Sequence, residues 1–275
     1  MIRLLLFFVV CQAVTQKPEE TPSITASQGM VVRWPGNCKR CSLEDKAWNP
    51  VNGTCYYPID MEKKTGTYSI SRRTTGGKLE TARLIVTEKP CVHNDIKNFK
   101  KLEYVNVSAK NLARHRREMD VLNPFLAAKL EERPNVFDLP VGKPANSLPP
   151  GKGFGECRTF NGQASDRHTG TDYGISAGKE VLSVGNGKVV LAANHFFSGN
   201  SVYIDHGNGL LTEYFHLQSI AVKPNQTVTK GQVIGRVGET GRTTGPHLHF
   251  GARWHGQIIN PGYLLMDPSD MPQVK

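Results

Sequence analysis

Residues 199–217 read GNSVYIDHGNGLLTEYFHL. Ser201 to Asp205 and Leu210 to Phe215 are runs of aliphatic, β-branched and aromatic residues that favour an extended backbone. Gly207-Asn208-Gly209 between them accepts the positive φ of a tight turn, so the stretch reads as a hairpin. The flanking text repeats the pattern. Lys179 to Val184, Lys188 to Ala193, Gln232 to Val237 and His247 to Trp254 are further strand candidates, broken at Gly or Asn turns such as Gly185-Asn186-Gly187. Residues 151–268 are therefore expected to form a compact antiparallel β domain, with 269–275 as a tail.

Upstream the pattern changes. Met30 to Trp34, Thr54 to Ile59, Thr67 to Ser71 and Thr81 to Thr87 are strand-like and punctuated by Gly, Pro and Asn, which predicts a small β-sandwich over 29–95. Between Val107 and Glu132 the period becomes helical. Ser108 can cap the start, Leu112, Met119, Leu122 and Leu126 share a face, and Lys110, Arg114, Arg116 and Arg117 read as a solvated face. Pro124 is expected to kink or end that helix. Pro134, Pro140, Pro144, Pro149 and Pro150 complete a helical and Pro-rich connector over 96–150. Residues 14–28, rich in Pro, Glu, Thr and Ser, read as a flexible lead-in. A length of 275 residues suits two domains of this kind.

Residues 1–13 carry the marks of an export signal: a positive start at Arg3, an apolar run from Leu4 to Val10, and Cys11-Gln12-Ala13 as a cleavage region. That run is far shorter than the ~20 residues a membrane span needs, and no later segment qualifies, so no transmembrane segment is expected. Val9 and Val10 are too bulky for the usual approach to a lipidated cysteine. The expected location is the periplasm or the extracellular space. There Cys38, Cys41, Cys55, Cys91 and Cys157 read as a disulfide framework whose pairing the spacing leaves open. Lysine and arginine total 34 against 24 Asp and Glu, a formal charge of +10. Such a surface attracts polyanions. With no recognisable nucleic-acid module in the text, nucleic acid is set aside in favour of an anionic cell envelope.

Four of the nine histidines fall with an aspartate into three short strings: His168-Thr-Gly-Thr-Asp172, Tyr214-Phe-His216-Leu217 and Gly245-Pro-His247-Leu-His249-Phe250. A catalytic zinc takes three ligands from His and Asp or Glu and leaves a position for water. Residues two apart on a strand share a face, so His247 and His249 present adjacent imidazoles, one for metal and one for water or substrate. No HExxH string supplies a glutamate base, and histidine must take that role. His93, His115, His195 and His255 read as packed or surface residues. His206, in an Asp-His-Gly turn, reads as structural. Arg158 and Asn161 either line the cleft or shape a loop.

These strings resemble the lysostaphin-type zinc endopeptidases, the LytM-like family, over Phe154 to Leu265. The shared text includes HTGTD, GNSVYIDHGNGLLTEYFHL, VTKGQVIGRVGETGRTTGPHLHFG and Asn260-Pro261. The resemblance implies that His168, Asp172 and His249 bind one Zn2+ per chain and that His216 and His247 are catalytic. It implies a metalloendopeptidase that cuts peptide cross-links of bacterial peptidoglycan. The alternatives are a non-catalytic envelope protein that activates another wall hydrolase, and a general secreted protease. CYYPIDMEKKTGTYSI, followed by a strand and an Arg-rich helix, resembles the immunoglobulin-like prodomain of some envelope proteases, which implies intramolecular inhibition by the N-terminal domain. The expected fold is mainly β: a small N-terminal β-sandwich, the helical and Pro-rich connector, and a C-terminal antiparallel β peptidase domain.

Overall fold

The computed structural model describes residues 21–126 and 136–275; the expected export signal at 1–13, residues 14–20 of the expected lead-in, the end of the expected helix and Pro134 lie outside the described residues. The chain is mainly β, as expected. Its N-terminal part has strands β1 (Ser23–Ser27), β2 (Val31–Trp34), β3 (Cys38–Leu43), β4 (Lys46–Trp48), β5 (Cys55–Pro58), β6 (Gly66–Thr74) and β7 (Leu79–Thr87). One sheet runs β1-β7-β6-β3-β4, and β2 pairs with β5 as a separate ribbon. The ribbon packs on the sheet through a core that includes Val32, Trp34, Cys41, Tyr57, Ile70 and Leu84.

The ribbon explains a stretch without alternation, Cys55-Tyr56-Tyr57-Pro58, in which all four residues are buried. Its two faces enter different cores. Val32 and Tyr57 face the N-terminal sheet, whereas Val31 and Tyr56 join the core of the C-terminal domain. Tyr56 stacks on Trp254 at 5.5 Å, and Trp48 stacks on His255 at 4.4 Å. The two domains are thereby one packed body rather than beads on a linker.

Three expectations need correction. Ser23–Ser27 of the supposed lead-in is a strand, paired in parallel with β7 from Ser23↔Arg83 to Ser27↔Thr87. An edge strand needs only backbone partners and one inward row, here Ile24 and Ala26, so its polar composition misleads. The supposed tail is anchored: Val274 donates its N–H to Arg33 O at 3.0 Å and is buried in the N-terminal core. His93, placed in the sandwich, begins β8 (His93–Ile96), which pairs in parallel with β9 (Cys157–Phe160) of the second domain. Cys91 and Cys157 are joined by a disulfide at that point.

Helix α1 (Ala109–Leu126) starts where expected, with Ser108 Oγ accepting the Asn111 N–H at 3.3 Å. Leu122 packs with Tyr203 and Leu211, with Met119 and Leu126 beside it, while Leu112 stays 40% exposed. Pro124 lies inside the helix, which continues to Leu126. Arg114 of the supposed solvated face pairs with Glu118 at 2.6 Å and reaches Asn194.

The C-terminal domain adds β10 (Gln163–Ala164), β11 (Gly170–Tyr173), β12 (Glu180–Leu182), β13 (Gly187–His195), β14 (Gly199–Asp205), β15 (Leu210–Ile220), β16 (Thr227–Val228), β17 (Val233–Val237), β18 (Leu248–Trp254) and β19 (Gln257–Ile259). The large sheet runs β11-β18-β15-β14-β13-β16, with β17 pairing β12 and β15, and β19 pairing β18. The Gly207-Asn208-Gly209 turn closes the hairpin as read, with φ of 74°, 42° and 71°. His206 beside it is structural: its Nδ1 lies 2.7 Å from Asn186 O, and burial lowers its pKa to about 4.

The second disulfide, Cys41–Cys55, ties the N-terminal sheet to the ribbon and leaves Cys38 buried and without a disulfide among the described residues. The Cys38-Lys39-Arg40-Cys41 string is thus not a bonded pair. Alkylation of the oxidised, denatured chain should label Cys38 alone among Cys38, Cys41, Cys55, Cys91 and Cys157, and should label all of them after reduction. Label on Cys41 or Cys91 without reductant would contradict this pairing.

Candidate metal centre

The register of three strands builds the centre. Across β11 and β18 Asp172 stands opposite His249, and across β18 and β15 His249 stands opposite Phe215. Directly opposed residues in antiparallel strands point to one face. Asp172 and His249 therefore meet at the same surface, and Phe215 lies parallel to His249 with ring centroids 4.8 Å apart. His168 arrives from the loop before β11. Its N–H bonds Glu156 O at 2.9 Å, its carbonyl accepts from the Gly155 N–H at 2.8 Å, and its Nδ1 lies 2.8 Å from Gly153 O.

His168 Nε2, Asp172 Oδ1 and His249 Nδ1 form a triangle with edges of 2.9, 3.1 and 3.1 Å. The Gly153 carbonyl can only accept, so the His168 proton sits on Nδ1 and the Nε2 lone pair faces the triangle. Among the described residues His249 Nε2 is buried without a hydrogen-bond partner, which leaves Nδ1 as the atom that faces the triangle. Two imidazole nitrogens and one carboxylate oxygen converging this closely are the donor set of a three-ligand zinc site, and these residues fit the ion.

Electrostatics agree with that fit. Burial opposes ionisation of Asp172, but the His168 and His249 rings beside its Oδ1 outweigh it and hold the carboxyl far below the usual range. Its second oxygen accepts from Arg158 Nη2 at 2.9 Å, and Arg158 Nε donates to Glu156 Oε2 at 2.8 Å. Burial is also the main reason that the His249 pKa falls to about 4, which keeps the ring in its neutral, ligating form.

His216 and His247 complete the group, with ring centroids 4.9 Å apart. His216 has a left-handed backbone, φ 62°, where the β14–β15 register slips between Asn200↔Leu217 and Val202↔Tyr214. This bulge re-aims a side chain that strict alternation would not place in the site. His216 Nδ1 lies 2.8 Å from Thr240 O, and burial, helped by His247 and His249, pushes its pKa well below that of a free histidine. His247 Nδ1 lies 2.9 Å from Gly245 O, and its Nε2 is 3.6 Å from Asp172 Oδ1. All five residues singled out in the sequence thus meet in one cleft of about 1170 Å³.

The remaining expectations divide. Arg158 lines the cleft, whereas Asn161 is structural, with its amide bridging the Phe99 N–H and C=O. His195 and His255 are packed, His93 is exposed, and His115 sits on the cleft wall against Phe197. Sequence reading missed Phe215 and Gly170, which hold the His249 ring. A Cβ on Gly170 would stand 2.5 Å from His249 Nε2. The purified protein should carry one zinc per chain by elemental analysis. His249→Ala should lose most of it, and Gly170→Ala should weaken it at least about tenfold by displacing the ring, while His216→Ala retains it. Zinc kept by His249→Ala and lost by His216→Ala would reverse the assignment.

The sequence profile of Peptidase family M23 matches residues 166–261. The peptidoglycan DD-endopeptidase ShyA of Vibrio cholerae is 47% identical over 93 residues, which is 34% of this chain and 22% of that protein. The DD-carboxypeptidase/endopeptidase Mpg of Neisseria meningitidis is 40% identical over 106 residues, 38% of this chain and 24% of its own length. The chain thus spans only about a quarter of the curated relatives it matches. A crystal structure of an M23 peptidase from Pseudomonas aeruginosa superposes with a TM-score of 0.63 at 24% identity, covering 87% of this chain and 94% of that one, which shows a shared fold. The span similar to Peptidase family M23, residues 166–261, is the one that contains all three residues of the triad and both further histidines.

Proposed function

We propose that the chain is a zinc-dependent metalloendopeptidase that hydrolyses peptide cross-links of bacterial peptidoglycan, in wall remodelling or lysis. The observation that carries this reading is the convergence of three ligand atoms and two further imidazoles in one open cleft. Zinc held by His168, Asp172 and His249 would supply a Lewis acid and lower the pKa of water toward ~7. His216, kept neutral by burial and carrying its proton on Nδ1, offers Nε2 to take the proton of the attacking water. His247, with Nε2 near Asp172, is on this reading the group that helps hold the developing oxyanion. Relatives named as peptidoglycan endopeptidases support the substrate, and a surface of net +10 suits an anionic wall polymer. Two disulfides support an exported protein, periplasmic or extracellular. Among the described residues no helix is long and apolar enough to cross a membrane.

The test is incubation of the zinc-loaded chain with defined muropeptides, with and without chelator, and identification of products by mass. Cleavage that stops with chelator, returns with zinc, and falls about 10²- to 10⁴-fold in His216→Ala is expected. Cleavage of unrelated proteins with muropeptides intact would leave a general protease. Binding without turnover in zinc-loaded protein would leave a non-catalytic envelope protein.

We also propose that the N-terminal region restrains access to this cleft. The relevant wall is the connector rather than the sandwich: Ile96, Tyr104, Val105 and His115 line the cleft, and no residue of β1–β7 does so. Tyr104→Ala should raise kcat/KM on a small soluble muropeptide. An unchanged or lower value would remove the restraint.

A further inference from the structure

The loop between β17 and β18 holds both catalytic histidines: Thr240 O faces His216 Nδ1 at 2.8 Å, and Thr243 Oγ1 lies 3.2 Å from His247 Nδ1. Arg242 stands between these two positions. Its N–H donates to Phe197 O at 2.8 Å, and Gly241, at φ 76°, lies so close that a Cβ would meet the same carbonyl at 2.4 Å. The backbone at Arg242 is therefore fixed as firmly as the histidines beside it.

Its side chain points to a use. The guanidinium carbon lies 4.9 Å from the Phe160 ring centroid and 4.6 Å from that of Phe197, and all three residues line the catalytic cleft. Contacts over ring faces hold a guanidinium by its plane and leave its in-plane N–H groups for a hydrogen-bonding partner. The neighbouring arginines are engaged: Arg158 with Glu156 and Asp172, and Arg167 with Glu62. Among the described residues the Arg242 side chain makes no hydrogen bond or ion pair; Asp166 is its acidic neighbour and Arg158 a like charge. Burial lowers its pKa from the usual arginine value, so this cation has lost hydration without gaining a bonded anion.

We infer that Arg242 binds a free carboxylate of the peptide substrate, one adjoining the bond that is cut. The planar fork of the guanidinium matches a carboxylate, and water is already partly displaced from it by two aromatic rings. This deepens the reading of the cleft as a peptidase site and rests on it. It makes Arg242 a specificity residue: a substrate with that carboxylate converted to an amide is bound less well, because the amide lacks the charge and one acceptor.

The test compares a cross-linked muropeptide dimer bearing free carboxylates with the same dimer converted to primary amides, using the full zinc-loaded chain. Wild type should favour the acid by about 10- to 100-fold in kcat/KM, the span of one charge-assisted contact. In Arg242→Gln the acid-over-amide ratio should fall to about 1, and in Arg242→Lys, which keeps the charge and loses the fork, it should be intermediate. Calorimetric binding of both dimers to chain with its zinc content verified gives the same ratio without turnover. A failure of cleavage with the binding preference intact would therefore count against the peptidase reading alone. A wild-type ratio near 1, or a ratio kept by Arg242→Gln while both rates fall together, would overturn the assignment and leave Arg242 a packing residue.

Discussion

Asp172 facing His249 across one antiparallel pair, and His249 facing Phe215 across the next, is the constraint on which the site depends. A slip of one residue in the first pairing would send Asp172 and His249 to opposite faces of the sheet, and a slip in the second would take Phe215 from beside the His249 ring. The register is held by what lies on both sides of it. Tyr214 and Phe250, adjacent in sequence to Phe215 and His249, are fully buried in the main core and pack against each other at 5.3 Å. Apolar packing on one face thus fixes the polar constellation on the other.

That constellation brings polar and charged groups together under poor hydration, and its composition answers the cost. Asp172 is surrounded by His168, His249 and Arg158, and Arg158 is itself balanced by Glu156. Removing Arg158 would leave the Asp172 and Glu156 charges without their cation in a partly buried place, which is more damaging than the loss of a surface pair. The backbone contributes at the same points. Gly153 O, Thr240 O and Gly245 O each face an Nδ1 atom, of His168, His216 and His247, so main-chain carbonyls turn the Nε2 atoms toward the cleft.

The N-terminal half is bound to this arrangement by packing as well as by chain. The β2–β5 ribbon gives one face to each core, and Cys91–Cys157 fastens β8 beside β9, one residue before Arg158. Burying Tyr56 against Trp254 joins two large aromatic surfaces, and truncating such a ring typically costs ~3–5 kcal/mol. The segment that follows β8 then supplies a cleft wall, with Tyr104, Val105 and His115 lining the same cleft as His216 and His247.

Much was legible in the sequence because it is local. The strand runs at Ser201–Asp205 and Leu210–Phe215, the Gly207-Asn208-Gly209 turn, the Ser108 cap and the three histidine strings depend on neighbours a few residues away, where side-chain chemistry and backbone preference act directly. The five residues that meet in the cleft could be singled out because they stand in three short strings, while the roles given to them came from a resemblance to a known family. Other features depend on partners far along the chain. Ser23–Ser27 became a strand because β7 offered an edge, and Val274 left the expected tail because β2 offered a partner. Cys41 chose Cys55 over Cys38 by sheet geometry, and His216 entered the site only through a bulge against β14. Arg242 shows the same limit. Its charge was visible in the text, but its place over two aromatic rings, with no anion bonded to it, follows from tertiary packing, which alone decides which groups share a desolvated cleft.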